Sequence, residues 1–220
     1  MRSINILDEI SDGKLYDIED MVKADTCGCD GCSDCCHDVG DLVMLTPFDV
    51  YEITSYLGVD FDELVGDKIQ LREDNKILLP YLKMQDKNKY CSFLNKEGRC
   101  MIHSKRPNIC RMFPLGRVYK NDDFKYFLQI ENCPKDNLKD VKVRDWLGIK
   151  NYYENKKFIL EWHKFIKALT FRLKFMRDEK EIEEVNKIIL DNFYRIKIEG
   201  DFYNEFMKCL PEVKNRLGII

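Results

Sequence analysis

Cys29, Cys32, Cys35 and Cys36 form a C-x-x-C-x-x-C-C run. Thiolates are soft metal ligands, and two residues between them let the sulfurs converge on one ion or one small cluster. Three cysteines at this spacing also match the start of a ferredoxin-type run for a 4Fe–4S cluster, whose last cysteine is followed by proline. Here a Cys-Pro pair, Cys133-Pro134, lies far downstream. Neighbouring side chains point about 100° apart on a helix and to opposite faces of a strand. Cys35 and Cys36 are therefore expected to serve two sites, or two corners of one cluster, rather than one ion.

A second set follows: Cys91, Cys100, Cys110 and Cys133. The eight thiols divide into two four-thiolate sites, or into one 4Fe–4S cluster plus a zinc, or they surround a compact multinuclear cluster. One partition puts Cys29, Cys32, Cys35 and Cys133 on a cluster and Cys36, Cys91, Cys100 and Cys110 on a second site. Cys209 sits beside Phe206 and Leu210 on a helical stripe and reads as a buried packing thiol. Cys27 fits neither set.

Charged groups near these thiols carry a second signal. The stretch from Lys96 to Arg117 holds Lys96, Arg99, Lys105, Arg106, Arg111 and Arg117 against one acid, Glu97. Four thiolates on zinc, or around a cluster, leave a net negative charge that guanidinium groups offset while donating hydrogen bonds to sulfur. Arg106 and Arg111 could instead hold an anionic substrate or cofactor, or form a solvated basic surface. His103 follows Cys100 by three residues and His37 follows the cysteine pair; each is a possible zinc ligand or an ordinary loop histidine. His163, next to Trp162, reads as structural.

The elements that must position these groups are partly legible. Residues 1–26 read as a lead-in with one helix around Tyr16–Lys23. Leu42–Leu45 reads as a short buried strand. Thr46 and Pro47 are start signals for a helix that Gly58 can end, and Asp60 with Glu63 resembles the cap of another. Lys76–Leu82 suggests a strand, and the alternation of Phe124, Tyr126, Leu128 and Ile130 suggests another. Beyond about Val143, apolar residues recur at intervals of three and four: Phe158, Trp162, Phe165, Leu169, Leu173 and Met176; then Ile182, Val185, Ile189 and Phe193; then Phe202, Phe206 and Leu210. These are amphipathic helices packing a core. The expected fold is mainly α with a few short strands: an irregular metal-centred cysteine-cluster core plus C-terminal helices. The expected divisions are a lead-in over 1–26, a metal-binding domain over 27–138 and a helical region over 139–220 packed on it.

Bulk properties bound the partners. At 220 residues the chain buries a real core without cross-links. A net charge of −3 argues against nucleic acid and anionic membranes as partners. No apolar run approaches the ~20 residues that span a bilayer, and Met1 to Asp20 lacks the apolar core of a signal peptide. A cytoplasmic location is therefore expected, where thiols stay reduced and clustered cysteines serve metals or catalysis.

The run Cys29-Asp-Gly-Cys-Ser-Asp-Cys-Cys36 resembles the signature of the CxxCxxCC (YkgJ-like) cysteine-cluster family. Cys91-Ser-Phe-Leu, Gly98-Arg-Cys-Met-Ile-His103 and Arg106-Pro-Asn-Ile-Cys110-Arg-Met-Phe-Pro114 resemble its second block. The likeness covers roughly residues 27–135. It implies a zinc- or iron-chelating protein with the eight cysteines as ligands. His103 stands where relatives often carry tyrosine. More distant relatives include flagellin lysine N-methylases, which implies a possible methyl-transfer role, though this chain is short and matches the general cluster block better.

Three functions follow as expectations: a metal-binding module with a structural or redox metal, an S-adenosylmethionine-dependent lysine methyltransferase-like enzyme, or a metal chelator or carrier. The chain lacks the glycine patterns of nucleotide-binding loops and the C-x3-C-x2-C spacing of radical enzymes, since position 39 is valine. An all-thiolate site is closed, which suits structural or electron-carrying roles better than hydrolysis. The expected cofactor is an iron–sulfur cluster, 4Fe–4S ahead of zinc; the expected partners are metal ions, with any protein substrate undefined.

Overall fold

Thr46 opens its helix as the sequence predicts. Its hydroxyl accepts from the Asp49 N–H at 3.3 Å, and the Asp49 carboxylate accepts from the Thr46 N–H at 2.9 Å. Pro47 takes the first turn, and Gly58, at φ +68°, closes α1 (Pro47–Leu57) with its N–H on Thr54 O. This geometry comes from a computed structural model that describes residues 7, 9–26, 32–37, 39, 42–85, 89–130, 133–135 and 138–219. The chain divides into two compact units that interleave along the sequence: residues 1–39 with 93–150, and residues 40–92 with 151–220.

In the second unit, α2 (Phe61–Leu64) follows, capped by Asp60 and Glu63. β2 (Ile69–Asp74) and β3 (Ile77–Leu82) then form an antiparallel hairpin. Asn75 and Lys76 both adopt positive φ at its turn, the conformation that matches the twist of a tight hairpin. Leu45 and Val43 pair with β3 through Leu45 N–Pro80 O and Leu82 N–Val43 O, both 2.9 Å. β4 (Met84–Gln85) and β5 (Tyr90–Cys91) make a short second ladder. Three helices complete the unit: α5 (Tyr152–Phe175), α6 (Glu179–Phe193) and α7 (Phe202–Arg216). Their apolar stripes meet in an aromatic core, with ring centroids 4.7 Å apart for Phe158–Phe206 and 5.2 Å for Trp162–Phe193. Asn186 on α6 accepts from Leu78 N and donates to Lys76 O, tying that helix to the hairpin.

The first unit begins with β1 (Met21–Asp25), paired antiparallel with the distant β8 (Lys139–Lys142). β6 (Leu115–Lys120) and β7 (Asp123–Leu128) form a hairpin whose turn residues, Asn121 and Asp122, again have positive φ. Gly116 on β6 is required by close approach: a Cβ there would lie 2.2 Å from the Phe127 ring. α3 (Asn108–Met112) precedes β6, and α4 (Val143–Leu147) follows β8.

Two expectations are corrected. The chain is not mainly α: it is 45% helical and 23% strand, with several antiparallel sheets, and it sits clearly in no single class. The helical stripes of the C-terminal third dominate the sequence signal, whereas the hairpins turn on Asn-Lys and Asn-Asp pairs without the usual glycine. Nor is there a helix around Tyr16–Lys23. Tyr16 exchanges backbone hydrogen bonds with Tyr126, and β1 alternates, with Val22 and Ala24 buried and Met21 and Lys23 exposed. That period of two is a strand's. No helix among the described residues is long and apolar enough to cross a membrane.

Candidate metal centre

The last three residues of the cysteine run form a 3₁₀ turn, Asp34–Cys36. Cys36 N–H donates to Ser33 O at 2.8 Å and His37 N–H to Asp34 O at 3.0 Å. Cys36 hydrogen-bonds the Cys35 sulfur, which draws the Cys35 thiol down to about 7. The Arg106 charge acts in the same direction, while burial and Asp34 oppose it.

Cys100 sits at the base of a tight loop. Leu94 and Cys100 bridge, and Asn95 Oδ1 accepts from Glu97 N at 3.1 Å and Arg99 N at 2.7 Å. Gly98 closes this loop at φ +69°, and a Cβ there would lie 3.7 Å from Ser33 Oγ. The loop therefore packs on the residue that opens the 3₁₀ turn. Burial pushes the Cys100 thiol up; the Ile102 N–H and the Arg106 charge pull against it, and Cys35 adds to it. Cys35, Cys36, Cys100 and Arg106 are thus one electrostatic neighbourhood.

Residues 103–112 position the arginines. A second 3₁₀ turn, His103–Lys105, leads through Arg106 and Pro107 into α3, which carries half-buried Cys110. Arg111 Nη2 donates to Ser104 O at 2.9 Å, binding α3 back to that turn. Arg106 Nη1 lies 2.9 Å from His103 Nε2. A guanidinium has no acceptor, so the imidazole is neutral here and Nε2 supplies the lone pair. That engages the Nε2 nitrogen of His103. Arg106 Nε is buried without a hydrogen-bond partner among the described residues. Such an orphaned donor costs about 1–3 kcal/mol or more.

Cys133 is half-buried in the loop between β7 and β8. Asp25, which ends β1, pairs with Lys139, which starts β8. Lys135 Nζ also reaches Thr26 O at 3.4 Å. Thr26 and Lys135, the latter two residues after Cys133, therefore meet at the same end of one ladder. Thr26, Lys135 and Asn95 carry out positioning that no motif in the sequence announces.

The predicted site residues are distributed as follows. Cys32, Cys35, Cys36, Cys100, Cys110 and Cys133 belong to the first unit and are not joined in disulfides. Cys91 is buried on β5 in the second unit, paired with Met84. Cys29 and Cys27 lie outside the described residues. Among the described residues no three histidine, cysteine, aspartate or glutamate side chains stand together as a group able to hold a metal ion. His37 Nδ1 lies 2.9 Å from Ser33 O and donates to it. Arg117 stacks over Phe124 at 4.5 Å, and its Nε, too, is buried without a hydrogen-bond partner among the described residues. Cys209 donates to Asn192 O at 3.6 Å on α7, in keeping with a packing thiol.

Residues 28–134 match the family model CxxCxxCC, a putative zinc- or iron-chelating domain. No solved structure matches the chain. The matched segment holds the 3₁₀ turn, the Cys100 loop, Arg106 and Cys110, and the domain it resembles is described as zinc- or iron-chelating. The donor chemistry fits such a metal: it offers soft thiols, and the Arg106 charge acts on two of them.

Proposed function

We propose that the CxxCxxCC segment holds an iron–sulfur cluster on cysteine thiolates of the first unit, in an electron-carrying or structural role. The observation that supports this reading is that the Arg106 charge acts on both Cys35 and Cys100, with Cys36 hydrogen-bonded to Cys35. Cys32, Cys110 and Cys133 are the further thiols of the unit, with Cys29 assigned from the sequence. Six described thiols exceed the four that one tetrahedral zinc takes, which favours a polynuclear centre. When bound, the cluster would supply one-electron chemistry, and the chain's contribution is to hold it, screen its charge and limit water.

The test is anaerobic purification followed by metal analysis, sulfide assay and a visible spectrum. Iron with acid-labile sulfide and broad visible absorption is the expected result. A colourless protein with stoichiometric zinc overturns the iron–sulfur assignment and leaves chelation standing. A folded protein that takes up neither metal overturns chelation as well.

A further inference from the structure

We propose that Arg106, and not Arg111, is the positioning residue of the metal centre: its Nε–H donates to a ligand sulfur and its charge offsets the thiolates. This rests on the reading above, that cysteines of the first unit hold a metal. The sequence leaves the two arginines equivalent, five residues apart on one basic stretch. The structure separates them. Arg111 spends Nη2 on the Ser104 carbonyl and fastens α3 to the turn before it. Among the described residues Arg106 is held at one corner, Nη1 on His103 Nε2. Because the guanidinium is planar and rigid, anchoring Nη1 helps to fix the direction of Nε–H. That N–H is buried and has no acceptor among the described residues. The Arg106 charge acts on both Cys35 and Cys100. Neutral S–H groups are weak acceptors, whereas metal-bound thiolates accept strongly, so the donor is satisfied when the centre is loaded.

Lysine cannot reproduce this arrangement, because it carries charge without the planar fork. His103 then acts as a strut: it orients Arg106 and leaves metal ligation to the thiols.

The test compares wild type, R106M, R106K and R111M, each purified anaerobically, for iron and zinc content, metal retention against a competing chelator, the visible spectrum and thermal melting. R106M is expected to hold its metal about 10- to 100-fold more weakly, the usual effect of removing such a partner, and to shift the absorption bands of the loaded centre. R106K is expected to fall between R106M and wild type. R111M is expected to melt at lower temperature with wild-type retention and spectrum. Wild-type retention and an unmoved spectrum in R106M overturn the proposal, as does an equal retention defect in R111M. If R106M does not fold, R106K decides by the same two readouts, and wild-type behaviour overturns the proposal. A wild type carrying neither iron nor zinc overturns the reading of the centre itself, before any variant is compared.

Discussion

At the scale of single residues, the cysteines differ more in environment than in spacing. Cys35 receives a hydrogen bond from Cys36 and the field of Arg106, and its thiol falls to about 7. A lowered value means that the thiolate exists above that pH and is lost below it. Metal-stripped protein is therefore expected to alkylate first at Cys35, with a rate that rises through about pH 7. Cys100 and Cys209, both pushed up by burial, should lag at every neutral pH. Peptide mapping after brief iodoacetamide treatment checks the order, and labelling of Cys209 ahead of Cys35 contradicts it. Cys209→Ala should leave metal content unchanged and cost about 1 kcal/mol, since it loses one weak hydrogen bond and one half-buried sulfur. The candidate ligands are legible in sequence because metal chelation imposes spacing. The closeness of Cys35 and Cys36 is not legible, because the sequence does not announce a 3₁₀ turn ending at Cys36. Arg106 and Arg111 are likewise inseparable until the carbonyl of Ser104 is seen to claim one of them.

At the scale of elements, local chemistry is readable and pairing at a distance is not. Thr46, Pro47 and Gly58 mark α1 because a cap, a first-turn proline and a left-handed glycine act within a few residues. Thr46→Ala is expected to cost about 0.5–2 kcal/mol, measured by denaturant unfolding, with metal content unchanged. β1 pairs with β8 from the far side of the first unit, and nothing near Met21 names Lys142 as its partner. The β6–β7 hairpin is hidden for another reason: one strand alternates clearly, whereas the other carries Gly116 under the Phe127 ring. Gly116→Ala must displace that ring, and overpacking of this kind costs about 1–3 kcal/mol. A thermal melt checks it, and pairing it with Phe127→Ala should relieve part of the penalty; a Gly116→Ala protein as stable as wild type contradicts the close approach.

At the scale of the whole molecule, the two units interleave along the chain, so neither corresponds to one continuous half of the sequence. The candidate thiols concentrate in the first unit, whereas the aromatic core of α5, α6 and α7 belongs to the second. The chain's two tryptophans divide in the same way. Trp146 on α4 donates its Nε1–H to Met112 O, two residues from Cys110, and Trp162 is buried in the helical core. Each can be isolated as a fluorescence reporter by changing the other to phenylalanine. Structural metal sites contribute folding energy directly, so removing the metal should loosen the unit that binds it. In Trp162→Phe protein, a chelator is therefore expected to redshift Trp146 emission and lower its unfolding midpoint. In Trp146→Phe protein the same treatment should leave Trp162 emission and midpoint close to those of the loaded chain, because the second unit keeps its own apolar core. If both reporters shift together, the metal stabilises one cooperative block; if only Trp162 responds, the metal sits in the second unit and the assignment of the centre is wrong.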